Sequence, residues 1–128
     1  MRTEAVMIKV YCYSRCSTCK KALKWLEEKG IKHEVIDIKE DNPSEADMRE
    51  YHAMSGLPLK RFFNTSGMQY RDLELAKKLP GMSDDEQFAL LATDGMLVKR
   101  PLVIGDDFVL TGFKENEWEE KLLTRKNT

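Results

Sequence analysis

The stretch from Val10 to Leu23 constrains this chain more than any other. An apolar run (Met7, Ile8, Val10, Tyr11) ends in a short polar turn, and Cys16-Ser17-Thr18-Cys19 then opens a helical pattern. Two cysteines three apart at a strand-to-helix junction form a dithiol redox motif. The first of such a pair meets unpaired backbone N–H groups and the positive end of the helix dipole, which favour a thiolate. The second lies one turn deeper on nearly the same face, within reach for a disulfide. Arg15, Lys20 and Lys21 add positive charge around Cys16.

A chain of 128 residues implies one domain, 1–128, long enough to bury about two-thirds of its surface. Charges of both signs are mixed throughout and the net charge is −1, which argues against direct nucleic-acid binding or a basic membrane face. No apolar run approaches the ~20 residues of a membrane span. Met1 to Val6 is too short and polar for a secretory signal and reads as an extension before a core that starts at Met7. The three cysteines fall within eight residues, too close to staple a fold, so a reducing, cytoplasmic setting is expected.

In order along the chain, Met7 to Cys12 reads as a buried strand. Cys19, Ala22, Leu23 and Leu26 keep amphipathic helical spacing up to a stop at Gly30. His33 to Ile38 reads as a second strand, parallel to the first through a right-handed crossover. Then come some fifty residues of helical signals without a strand. Ser44 is a plausible N-cap with Asp47 beyond it, a helix ends at Gly56, and a short element covers Leu57 to Phe63. Another helix runs to Leu79, and Ser83-Asp84-Asp85-Glu86 is a capping box. Leu102 to Ile104 and Phe108 to Leu110 flank the turn Gly105-Asp106-Asp107 as a hairpin. A last helix carries Trp118 and Leu122 on one face, and Thr124 to Thr128 reads as frayed.

This order, with Tyr13-Ser14-Arg15-Cys16-Ser17-Thr18-Cys19, Lys99-Arg100-Pro101-Leu102-Val103-Ile104 and Thr111-Gly112-Phe113, resembles the ArsC/Spx family over about Met7 to Leu123. The resemblance implies an α/β fold: a thioredoxin/glutaredoxin-like four-stranded mixed sheet (about 7–40 and 96–123) with an all-helical insertion (about 44–95) packed at one end. It implies that Cys16 is the reactive cysteine, Cys19 the second thiol of a Cys-x-x-Cys switch, Arg100 an oxyanion ligand and Pro101 a cis proline. Two further oxyanion arginines of the family's arsenate reductases would fall at Asn64 and near Phe113. Neither is an arginine here, and Lys60, Arg61 and Lys114 stand nearby as partial substitutes.

Other readings of the same residues are blander. Cys12 reads as core packing in the first strand. A metal or iron–sulfur site would need three convergent thiols or a second ligand pair, and neither is apparent. His33, His52 and the lysine pairs at Lys20-Lys21 and Lys77-Lys78 read as ordinary structural or solvated residues. The favoured function is arsenate reductase-like thiol–disulfide chemistry with Cys16 as nucleophile and Cys19 as resolving thiol. Arg100, Pro101, Arg15, Asn64 and the backbone around Ser17 and Thr18 would bind an anionic group. No bound cofactor is expected; glutathione or a thioredoxin or glutaredoxin would be the reductant, and a small-molecule thiol or a protein disulfide the partner. The alternatives are arsenate reduction through Cys16 and Arg100, or an Spx-like redox regulator that binds the RNA polymerase α subunit around Gly56.

Overall fold

The computed structural model describes residues 7–124. The expectations for Met1 to Val6 and for fraying at 125–128 concern chain outside the described residues. Four strands form one mixed sheet in the order β2-β1-β3-β4. β1 (Ile8–Cys12) and β2 (His33–Asp37) are parallel, with Val10 opposite Val35. Helix α1 (Ser17–Glu28) makes the crossover between them. β3 (Leu102–Ile104) runs antiparallel to β1, and β4 (Val109–Thr111) antiparallel to β3. The second arm of this hairpin starts one residue later than the sequence suggests. Gly105 N–H donates to the Phe108 carbonyl at 2.8 Å, which places Phe108 in the turn and Thr111 in the strand.

Side chains alternate across a strand, and that alternation sets the layers. Ile8, Val10 and Cys12 face α1 and the C-terminal helix, packing with Ala22, Leu26, Val103, Leu110, Trp118 and Leu122. The C-terminal helix, α6 (Glu115–Trp118), continues as wider π-type turns over Glu119–Thr124. Tyr11 faces the other way and packs with Ile38, Leu102 and Ile104 against the insert.

The insert is helical: α2 (Glu45–Ser55), a 3-10 turn at Leu59–Phe62, α3 (Met68–Asp72), α4 (Leu75–Lys78), α5 (Asp84–Leu91) and a 3-10 turn at Gly95–Leu97. Ser44 with Asp47 and Ser83 with Glu86 form reciprocal capping boxes, so the first orphan N–H groups of α2 and α5 find acceptors. The single helix expected up to Leu79 is instead two pieces, broken at Glu74 with φ 55°. At 100° per residue a continuous helix would point Tyr70 and Leu75 about 140° apart. The break turns both into the core.

The insert covers the second face of the sheet rather than one end. Leu102, Val103 and Ile104 are all buried, so β3 has two apolar faces, and α1 with α6 can cover only one. Gly95 marks how closely the insert docks: a Cβ there would overlap the Ile38 carbonyl. No described helix is long and apolar enough to cross a membrane.

Candidate active site

Cys16 is the N-cap of α1, with extended backbone at φ −93° and ψ 116°. Its N–H donates to the Tyr13 carbonyl at 3.0 Å, closing the polar turn, and its own carbonyl accepts from Lys20 N–H at 3.1 Å. Cys16 is half-buried; Cys19, one turn further, is 1% exposed. Cys12 arrives from the end of β1 on the side facing α1 and is 4% exposed. All three are free thiols.

The three sulfurs meet at Cys19. The neighbouring Cys12 thiol has the largest effect on its titration; the Tyr13 backbone, the Cys16 thiol and the charge of Arg100 act in the same direction. Together they hold the Cys19 thiol below its ordinary range, against the opposing effect of burial. The adjacent Cys19 thiol, and then burial, push the Cys12 thiol above its ordinary range. Cys12 packs in the core on the α1 side of the sheet, in the same buried cluster as Cys19. Its strand position seemed to separate it from the motif, yet the last residue of β1 points under the first turn of α1. Among the described residues, no group of three or more His, Cys, Asp or Glu is disposed to hold a metal ion.

A cavity of about 710 Å³ opens in front of Cys16. Backbone pairing builds its walls. Phe63 bridges Val98, Asn64 N–H donates to the Leu97 carbonyl at 2.8 Å, and Lys99 N–H donates to the Phe62 carbonyl at 2.9 Å. Those links lay the 3-10 segment of the insert beside Lys99 and Arg100. The Arg100–Pro101 bond is cis, as the resemblance implied. Gly112 N–H donates to the Pro101 carbonyl at 2.9 Å and brings Thr111 to Lys114 onto the rim. Gly112 sits at φ 74°, a conformation that disfavours any side chain, and a Cβ would stand 3.1 Å from Lys99 Cε. Trp118 Nε1–H donates to the Gly112 carbonyl at 3.0 Å and anchors this rim to α6.

Arg100 lies across the wall. Its Nη1 donates to the carbonyls of Met96 at 3.3 Å and Val98 at 3.4 Å, and its guanidinium stands 5.6 Å from the Tyr13 ring centroid. Its Nε is buried without a partner, and so is Thr111 Oγ1. Buried polar atoms are almost always paired, so these two are exceptions behind the cavity wall, and Trp25 Nε1, away from it, is a third among the described residues. Lys60, Arg61, Lys99 and Lys114 join Arg100 in the lining, which contains no Asp or Glu. None of the five is paired with a carboxylate among the described residues.

Of the residues singled out in the sequence, Cys16, Thr18, Asn64 and Arg100 line the cavity, along with Phe113 and Lys114. Pro101 is buried and stands outside the lining, with its carbonyl accepting from Gly112 N–H. Arg15 and Ser17 are exposed and stand outside the lining, because the turn and the first helical residue carry their side chains to solvent. His52 is held edge-on between the rings of Phe62 and Phe88, at 5.8 and 5.5 Å, and is structural. Lys99 and Thr111 belong to the two C-terminal motifs but were not named as site residues; both line the cavity, and the place of Thr111 depends on the β3–β4 register.

The model of the ArsC family matches residues 11–121. The uncharacterized protein YusI of Bacillus subtilis is 54% identical over 110 residues, covering 86% of this chain and 93% of that protein. The crystal structure of an ArsC family related protein from Bacteroides fragilis superposes with a TM-score of 0.88 at 51% identity, covering 91% of this chain and 98% of that one. The arsenate reductase from Vibrio cholerae superposes with a TM-score of 0.77 at 26% identity, covering 94% and 98%. With a match this long, the chain belongs to the ArsC family.

Proposed function

We propose that the protein is a thiol–disulfide oxidoreductase of the reducing cytoplasm, with Cys16 as nucleophile and Cys19 as resolving thiol. The observation that carries this reading is the division of exposure among joined thiols: Cys16 lines the cavity, whereas Cys19 is buried directly behind it with its thiolate favoured. The Cys16 thiolate attacks one sulfur of a disulfide RS–SR′. A Cys16–SR bond forms, the substrate S–S bond breaks, and R′S⁻ leaves with the electron pair. The Cys19 thiolate then attacks Cys16 Sγ and expels RS⁻. Two electrons have passed from the dithiol to the substrate, and both leaving thiolates take their protons from solvent. Glutathione, or a dithiol of the thioredoxin or glutaredoxin type, returns the Cys16–Cys19 disulfide to the dithiol. Arg100 and the unpaired N–H groups at the start of α1 hold an anionic part of the substrate.

Arsenate reduction is the second reading. In its favour, Arg61 and Lys114 line the cavity beside Asn64 and Phe113, where the resemblance places arginines. The breadth of the cavity favours the first reading. The test is Cys19→Ser protein mixed with a glutathionylated peptide. A stable Cys16 adduct by mass spectrometry, set against free thiol release by the wild type, supports the assignment. Undiminished peptide reduction by Cys16→Ser would refute it.

A further inference from the structure

The cavity is far larger than a four-oxygen anion requires and falls within the ~300–1,000 Å³ of sites for whole organic ligands. Its charge is one-sided. Lys60, Arg61, Lys99, Arg100 and Lys114 line it and no carboxylate answers them. These features bear on which disulfide reaches Cys16. Glutathione carries an ammonium group along with its two carboxylates. Here that ammonium would meet a lining with five cations and no carboxylate to receive it, and like-charge juxtaposition opposes binding. A thiol whose charged end consists of phosphate esters has the opposite character: several negative charges, many acceptor oxygens and no ammonium. Lysine serves phosphate as a point charge, and arginine adds paired donors.

Building on the thiol–disulfide reading above, we infer that the site is shaped for the disulfide of a phosphorylated thiol, with its sulfur at Cys16 and its phosphates among Lys60, Arg61, Lys99 and Lys114. For a symmetrical disulfide the exchange is the one already written. Cys16 takes one thiol moiety into a mixed disulfide while the other leaves as thiolate. Cys19 displaces the first, and an added dithiol reductant restores the protein. Each cycle consumes one disulfide and two electrons and releases two phosphorylated thiols.

Coenzyme A serves as the probe, in two arms. In the first, the wild-type protein with excess dithiol reduces coenzyme A disulfide, glutathione disulfide and the uncharged bis(2-hydroxyethyl) disulfide. Coenzyme A disulfide is expected to have a kcat/KM at least tenfold above glutathione disulfide, and the joint variant Lys99→Gln, Lys114→Gln should erase that ratio. In the second arm, which needs no catalysis, Cys16→Ser protein is titrated with the thiol forms. Coenzyme A should bind at least tenfold more tightly than glutathione and weaken as salt rises. Equal affinity for the two thiols, or a preference that survives the double variant, overturns the inference. The two proposals fail separately. Cys16-dependent reduction of the uncharged disulfide with no coenzyme A preference removes only the substrate class. Tight coenzyme A binding with no disulfide reduced leaves the phosphate site standing and removes the chemistry.

Discussion

The hydroxyls of Tyr11 and Tyr51 lie 3.1 Å apart in the buried interior, with ring centroids 6.1 Å apart. Tyr11 belongs to β1 and Tyr51 to α2, so this bond ties the sheet to the insert. Replacing one partner by Phe leaves the other buried and unpaired, at an expected cost of about 1–3 kcal/mol. The double variant Tyr11→Phe, Tyr51→Phe should recover part of that loss, because no orphan remains. Urea unfolding of the two single variants and the double variant measures the coupling. A double variant that loses the sum of the singles would show that the hydroxyls do not interact.

The same pair sets an alkaline limit. Burial first, and then the bond to Tyr51, push the Tyr11 hydroxyl above its ordinary range. In the unfolded chain it ionises near pH 10. Above that pH the unfolded state holds fewer protons than the native state, so stability falls as pH rises. Below it the contribution is fully present. Unfolding free energy measured at about pH 8 and about pH 10.5 should drop more for the wild type than for Tyr11→Phe; equal drops would contradict the account.

Gly95 predicts a steric effect. A Cβ there meets the Ile38 backbone, which cannot swing aside as a side chain could. Gly95→Ala should destabilise by about 1–3 kcal/mol or more, as overpacking does. Gly81→Ala, where nothing stands within 4 Å of the added carbon, should be close to neutral. Thermal melts of the two variants decide it; similar midpoints would mean that the insert does not dock so tightly.

Much of this architecture could be read from local chemistry. The strand–turn–helix around Cys16, the boxes at Ser44 and Ser83 and the stop at Gly56 each depend on residues a few positions apart. What escaped depends on contacts far apart in sequence. The insert lies over a sheet face because β3 is apolar on both sides, which shows only once β3 is known to be central. Cys12 touches Cys19 because β1 ends under α1. The Phe63–Val98 bridge, which sets the cavity wall, joins residues 35 apart and leaves no local pattern. The five cations come from three separate stretches, so their common sign was not visible as a patch.

The thiols should react in order of access. Cys16 lines the cavity, while Cys19 and Cys12 are buried. Iodoacetamide should label Cys16 first, and Cys12 only on unfolding, since its raised pKa also keeps it protonated. Faster labelling of Cys19 would show that its favoured thiolate outweighs its burial and would move the nucleophile. Mild peroxide should then join Cys16 to Cys19 reversibly. A Cys12–Cys19 disulfide in its place would make the buried thiol the resolving partner.

In the function proposed above, the Cys16–Cys19 pair reduces disulfides rather than arsenate. The family resemblance puts two oxyanion arginines at Asn64 and near Phe113, which line the cavity here, and each charge-assisted hydrogen bond contributes about 1.5–3 kcal/mol. The resulting deficit of ~3–6 kcal/mol is roughly a hundred- to ten-thousand-fold in binding, only part of which Arg61 and Lys114 recover across so wide a cavity. The decisive measurement compares arsenate with a mixed disulfide as substrates of one preparation, coupled in turn to glutathione with glutaredoxin and to thioredoxin, with Cys16→Ser as control. Cys16-dependent disulfide reduction is expected, with arsenate the far poorer substrate by kcat/KM. Efficient Cys16-dependent arsenate turnover under either couple would contradict it.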